Sequence, residues 1–177
     1  MKKQILFAII GGIILWMWQF ISFAAGDFHR AAHKYTPLQD KLISAFQSIG
    51  LEEGQYQLGQ IDPELIRSGE ATGFENAGGP RAILHWRPAT NDSMGMNMLR
   101  GVFVCIIVAG PLFYLVRSAR EISVGKGALM GLAVGVISFL VIPYTNFIWY
   151  QTPDIYAHLL DAFVPWLAMG AVAGKMA

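Results

Sequence analysis

Residues 4–25 read QILFAIIGGIILWMWQFISFAA, and none of these side chains ionises. An α-helix rises about 1.5 Å per residue, so a run of this length crosses the roughly 30 Å hydrocarbon core of a bilayer. Three further runs meet the same requirement, from about Met98 to Val116, from about Ala128 to Trp149 and from about Tyr156 to Ala173. The composition agrees. The 177 residues are 54% hydrophobic and only 14% charged, whereas a soluble domain carries roughly a quarter charged residues. Mean hydropathy is +0.44. These values exclude a disordered tail, an ordinary soluble enzyme and a nucleic-acid binder, which needs clustered Lys and Arg. The single cysteine, Cys105, excludes an internal disulfide and cannot by itself build a zinc or iron–sulfur site.

The first run has a rival reading. Lys2 and Lys3, an apolar stretch and then Ser22-Phe23-Ala24 resemble a signal peptide with a small-x-small cleavage site after residue 24. Against cleavage, Ile5 to Ile21 exceeds the usual apolar core of about 7–15 residues, and Trp16, Trp18 and Phe20 are bulky near its end. An uncleaved anchor over 1–25 is the favoured reading, and the topology is the same either way.

Short flanks orient the spans. Lys2, Lys3, Arg117, Arg120, Lys126 and Lys175 fall on one side against a single acid, Glu121, while the stretch 26–97 holds six basic and nine acidic residues. The positive-inside rule then predicts cytoplasmic termini and an extracytoplasmic 26–97. Within that stretch Thr36-Pro37 reads as a helix start, Leu38, Leu42, Ile43, Phe46 and Ile49 recur at helical spacing, and Gly50 is a stop. Gln55 to Leu58 alternates as a short strand, a helical turn follows Asp62-Pro63-Glu64, and Ala82 to Trp86 is a second strand closed by Pro88. The expected fold class is a membrane all-α bundle of four transmembrane helices, with a small extracytoplasmic α+β cap (26–97) inserted between helices 1 and 2 and a three-helix region over 98–177.

Gly54-Gln55-Tyr56-Gln57-Leu58, Gly79-Pro80-Arg81-Ala82-Ile83-Leu84 and Arg87-Pro88 resemble a family of bacterial four-helix inner-membrane proteins of unknown function. The runs Pro143 to Tyr150 and Asp161 to Gly170, with Gly174-Lys175, are similar to it as well. The chain departs from that pattern over Glu70 to Gly79, which is polar and glycine-rich. The resemblance implies the four-span topology and a bacterial inner-membrane location. It implies no activity and no catalytic residues.

Gly127, Gly131 and Gly135 recur every four residues in the third span, and Gly170 and Gly174 do so in the fourth. Small residues at this spacing make a flat face on which two backbones approach closely. Packing within the bundle is the favoured use of the face in helix 3, and docking of another membrane subunit is the alternative. Pro111, Pro143 and Pro165 each interrupt one of the last three spans, which lets unequal helices pack or shapes a cavity.

Asp161 is the one carboxylate well inside a span, where it must be paired, hydrated or neutral. His158 lies one turn earlier, and His29 and His33 follow the first span at i, i+4. Together His29, His33, His158 and Asp161 have the donor chemistry of a divalent transition-metal site. The favoured reading of Asp161 is instead a structural polar clasp with Asn146 and Tyr150 at the external end of the third span. Trp16, Trp18, Phe20, Phe23, Trp149, Tyr150 and Tyr156 read as an interfacial aromatic belt, with Trp16 deep enough to pack internally.

No nucleophile–base pair, phosphate loop or dinucleotide fingerprint is present in the sequence. The expectation is a non-catalytic accessory, scaffold or assembly subunit of an envelope complex without a cofactor, partnered by the lipid bilayer. The alternative is a small transporter or metal-responsive membrane protein using the His/Asp cluster.

Overall fold

The computed structural model of the protein describes residues 2–72, 78–89 and 93–177. Four of its helical stretches are long and apolar enough to cross a membrane: 2–25, 94–118, 124–150 and 155–176. They coincide with the four apolar runs of the sequence. Residues 73–77, in the glycine-rich departure noted above, lie outside the described residues.

Helix α1 (Lys2–Phe20) runs into a wide π turn, Ile21–Ala25, closed by the Gly26 amide on the Ile21 carbonyl at 2.6 Å. The chain then folds back through tight turns over residues 27–33, with the Phe28 amide donating to the Ser22 carbonyl. Helix α4 (Met94–Ser118) and helix α5 (Val124–Phe139) both start at a serine, Ser93 and Ser123, whose hydroxyl accepts an amide of the first turn. The third span does not continue straight. Pro143 has no amide hydrogen, and at this point the helix widens to a π turn, Leu140–Tyr144, before resuming as α6 (Thr145–Tyr150). The Thr145 hydroxyl donates to the Leu140 carbonyl, the internal repair that an apolar setting demands. Helix α7 (Ile155–Met176) accommodates Pro165 within its length.

Two close helix pairs organise the bundle. In the first, α1 meets α4 through Gly11 and Gly12, where an added Cβ would lie 2.9 Å from Ala109 Cβ and 2.6 Å from Ile106 Cγ1. Phe7 stacks on Phe113 beside this contact at 4.9 Å between ring centroids. In the second, α5 meets α7 backbone to backbone. A Cβ on Gly131 would lie 2.9 Å from Gly170 Cα, one on Gly127 would lie 2.7 Å from Gly174 Cα, and one on Gly135 would overlap the Ala162 carbonyl. The triple-glycine face of helix 3 is therefore filled by the chain's own last helix. It is not a free surface for a second subunit, because backbone atoms already occupy the groove that the missing side chains leave. Phe7, Leu15, Cys105, Leu112, Phe113, Val116 and Met169 close the core around both pairs.

The described residues between 35 and 89 form a compact unit of their own, and 27–34 group with the helical unit, so the division falls inside the 26–97 boundary read from the sequence. Helix α2 (Gln39–Ser48) starts later than the Thr36-Pro37 signal, because the Thr36 hydroxyl caps a turn by accepting the Leu38 amide. Gly50, at φ +66°, ends it as expected. Strands β1 (Gly54–Leu58) and β2 (Ala82–Trp86) pair antiparallel, Gly54 opposite Trp86 and Leu58 opposite Ala82, with the short helix α3 (Pro63–Ser68) between them. The buried Trp86 anchors this unit, packing edge-on against Phe46 and donating its indole N–H to the Leu51 carbonyl.

Gly131→Leu is expected to destabilise the bundle by about 1–3 kcal/mol or more, since the side chain has backbone in its way. Gly125→Ala, whose Cβ would meet nothing, should be neutral or slightly stabilising. Detergent-titration unfolding of both variants beside the parent checks this contrast.

Candidate metal centre

The wide turn at the end of α1 and the fold-back after it put His29 against the start of α7. His29 is 2% exposed, and its ring lies flat against Phe23 at 3.9 Å, nearly parallel. Its Nδ1 is 2.7 Å from Asp154 Oδ2, and its Nε2 is 2.9 Å from Asp161 Oδ2. The second oxygen of Asp161 accepts the indole N–H of Trp18 at 2.8 Å. The His158 ring stands edge-on to that of His29 at 4.8 Å, with its Nε2 3.3 Å from Asp154 Oδ2. One imidazole is thus held between two carboxylates, with a second imidazole alongside.

Helical spacing explains the acidic wall. Asp154, His158 and Asp161 stand at i, i+4 and i+7, so all three project from one face of α7. Burial works against the Asp154 carboxylate. The hydrogen bond to His29 and the proximity of His158 outweigh it, and the Asp154 pKa lies below the ordinary carboxylate value. The hydroxyls of Ser22 and Thr152, in the two segments that carry His29 and Asp154, are buried with no hydrogen-bond partner among the described residues.

His29, His158 and Asp161 each offer a ligand atom, and these atoms lie within 4.8 Å of one another. Ligands on one tetrahedral ion sit roughly 3.3 Å apart at metal–ligand distances of about 2.0–2.1 Å, so small side-chain adjustments suffice. Asp154 on His29 Nδ1 makes the carboxylate–histidine arrangement that orients a ring and leaves its other nitrogen for a metal. Trp18 steadies the Asp161 carboxylate in the same way.

Three of the four residues expected at a metal site therefore come together. His33 does not: it is exposed, at the far end of the tight turns that bury His29. The clasp expected from Asn146, Tyr150 and Asp161 is also different. Asn146 and Tyr150 are both exposed, and Asp161 takes its hydrogen bonds from Trp18 and His29. The π turn at Pro143 changes the direction in which residues 145–150 point, and α1 instead of α6 supplies the partners. Trp18 leaves the aromatic belt to serve Asp161, whereas Trp16 packs against the core as expected.

Asp154 and Trp18 were not among the candidate residues. For Asp154 the signal was present, an acid one turn before His158 and two before Asp161, obscured by its place in a connection. For Trp18 the linear sequence carries none. No protein-family model, curated protein or solved structure matches the chain.

His29→Ala removes the group shared by two carboxylates and is expected to cost about 3–5 kcal/mol, the usual penalty for orphaning a buried charge. Asn146→Ala and Tyr150→Phe should stay within about 0.5 kcal/mol of the parent. Thermal unfolding in detergent distinguishes this clasp from one made by Asn146 and Tyr150.

Proposed function

We propose that the chain is a multi-pass membrane protein that binds a divalent transition-metal ion through His29, His158 and Asp161. The observation that carries this reading is the hydrogen bond that Asp154 accepts from His29 Nδ1, with His29 Nε2 turned toward Asp161. Two imidazoles and a carboxylate suit zinc or ferrous iron, and three protein ligands leave a coordination position free for a fourth group. The ion would also draw together the turn after α1 and the start of α7. This is the metal-responsive alternative raised by the sequence. The accessory-subunit expectation loses one of its supports, the glycine face, since α7 fills that face.

The membrane in question is the bacterial inner membrane, with both termini cytoplasmic and residues 35–91 outside, as the basic flanks Lys2, Lys3, Arg117, Arg120, Lys126 and Lys175 support. The metal centre then sits close to the outer interface, within reach of extracytoplasmic ions. Alkaline phosphatase fused after Gly69 should be active, and the same enzyme fused after Ala177 inactive. The reverse pattern would refute this orientation.

Elemental analysis of protein purified without chelator and exposed to zinc should find one bound ion per chain. His158→Ala and Asp161→Asn should lose it. Asp154→Asn and Trp18→Phe keep all three ligands and should weaken binding by about 10–100-fold, as removal of a ligand's orienting partner does. Equal zinc content in the parent and the ligand variants would sink the reading.

A further inference from the structure

A cleft of about 270 Å³ begins at this centre and runs between the spans. Trp18, His158 and Asp161 form its polar end. From there it follows α7 to Trp166, eight residues beyond His158 and so about 12 Å along the helix axis. Its other walls are mostly apolar, Leu15 from α1, Val104 and Val108 from α4 and Phe139 from the third span, with Gln19 and Ser138 as polar interruptions. Two features favour an opening toward the bilayer. Among its lining residues Val104 and Phe23 are 58% and 51% exposed on stretches apolar enough to span a membrane, so that in a bilayer Val104 faces hydrocarbon and Phe23 the interface above it. Helices α4 and α5, which flank it, share few contacts. Pro143 contributes directly, since the widened turn sets Phe139 and Pro143 on the cleft wall.

A water-soluble ligand has no use for such a wall, and a wholly apolar one has no use for the carboxylate and imidazole at its end. We infer that the cleft takes the hydrocarbon chain of a single-chain amphiphile from the bilayer, with the carboxylate or carbonyl head of that amphiphile filling the free position of the metal ion. At about 30 Å³ for a water-sized group the space holds a chain of roughly nine such groups, comparable in length to the stretch of α7 from His158 to Trp166. The inference rests on the metal reading above and adds the ligand class to it. A free fatty acid and the acyl chain of a lysophospholipid share this chemistry.

The test uses the full chain in nanodiscs and terminally brominated undecanoate as the probe. With its head at the metal, the bromine lies beside Trp166 and quenches that indole. Saturable quenching is expected in the zinc-loaded protein, half-maximal at about tenfold lower probe concentration than in the metal-free protein. Trp166→Phe should remove the saturable component. Val108→Phe and Ser138→Phe, which fill the cleft from opposite walls without touching a ligand, should each abolish it while zinc content is unchanged. Two such variants guard against either one failing to fold. Replacing undecanoate by brominated lysophosphatidylcholine distinguishes the two sources, tighter saturable quenching by either one identifying it. Quenching that never saturates, survives both filled variants, or is indifferent to zinc in protein shown by elemental analysis to hold it overturns the inference and leaves the metal centre standing. Absence of bound zinc in the parent overturns both.

Discussion

A carboxylate withdrawn from water costs several kcal/mol unless a partner of opposite charge or a strong donor meets it, and its partner carries the same obligation. At one end of the bundle this constraint acts on Asp154, Asp161 and His29 together. Neither carboxylate can bury alone, and the imidazole between them satisfies both. The geometry this requires reaches well beyond three side chains. The fold-back after α1 must bring residue 29 to α7, and the wide turn at Ile21–Ala25 is where the helix gives way to it. Trp18 must present its indole N–H to the remaining oxygen of Asp161, which fixes the rotation of α1 about its own axis.

The rest of the bundle answers to a different demand. Inside a bilayer no hydrophobic effect presses helices together, so packing has to come from close approach. Glycine supplies it twice, at Gly11 and Gly12 against α4 and at Gly127, Gly131 and Gly135 against α7. These two seams hold α1 to α4 and α5 to α7, and where α4 and α5 run side by side the fit is looser. The cleft occupies that loose region. Tight seams on either side and a widened, proline-containing turn in the third span are what make a cavity possible beside the polar cluster.

Much of this was legible residue by residue. The spans follow from apolar runs longer than a bilayer is thick, the close-packing faces of the third and fourth spans from glycines every four residues, and the importance of Asp161 and His158 from the cost of an ionisable group within a span. The partners of Asp161 were not legible. Asn146 and Tyr150 are near it in order along adjoining spans, but helical phase decides which side chains meet, and the π turn at Leu140–Tyr144 resets that phase for everything after it. His33 shares a helical spacing with His29, yet the segment is a series of turns, in which i and i+4 do not share a face. A periodicity argument holds only where the period does.

The sequence by itself determined the number of candidate spans, the small α+β segment between the first two, and the residue types capable of binding a cation. Each depends on local composition and spacing, which are properties of the chain before it folds. Tertiary structure alone decided that His29 sits between Asp154 and Asp161, that Trp18 completes the set, and that the glycines of α5 face α7 of the same chain. Trp18 and Asp161 are separated by 143 positions, and His29 and Asp154 by 125. Contacts at such separations depend on how helices rotate and tilt against one another, and that is settled by the packing of whole surfaces, not by any pattern along one of them.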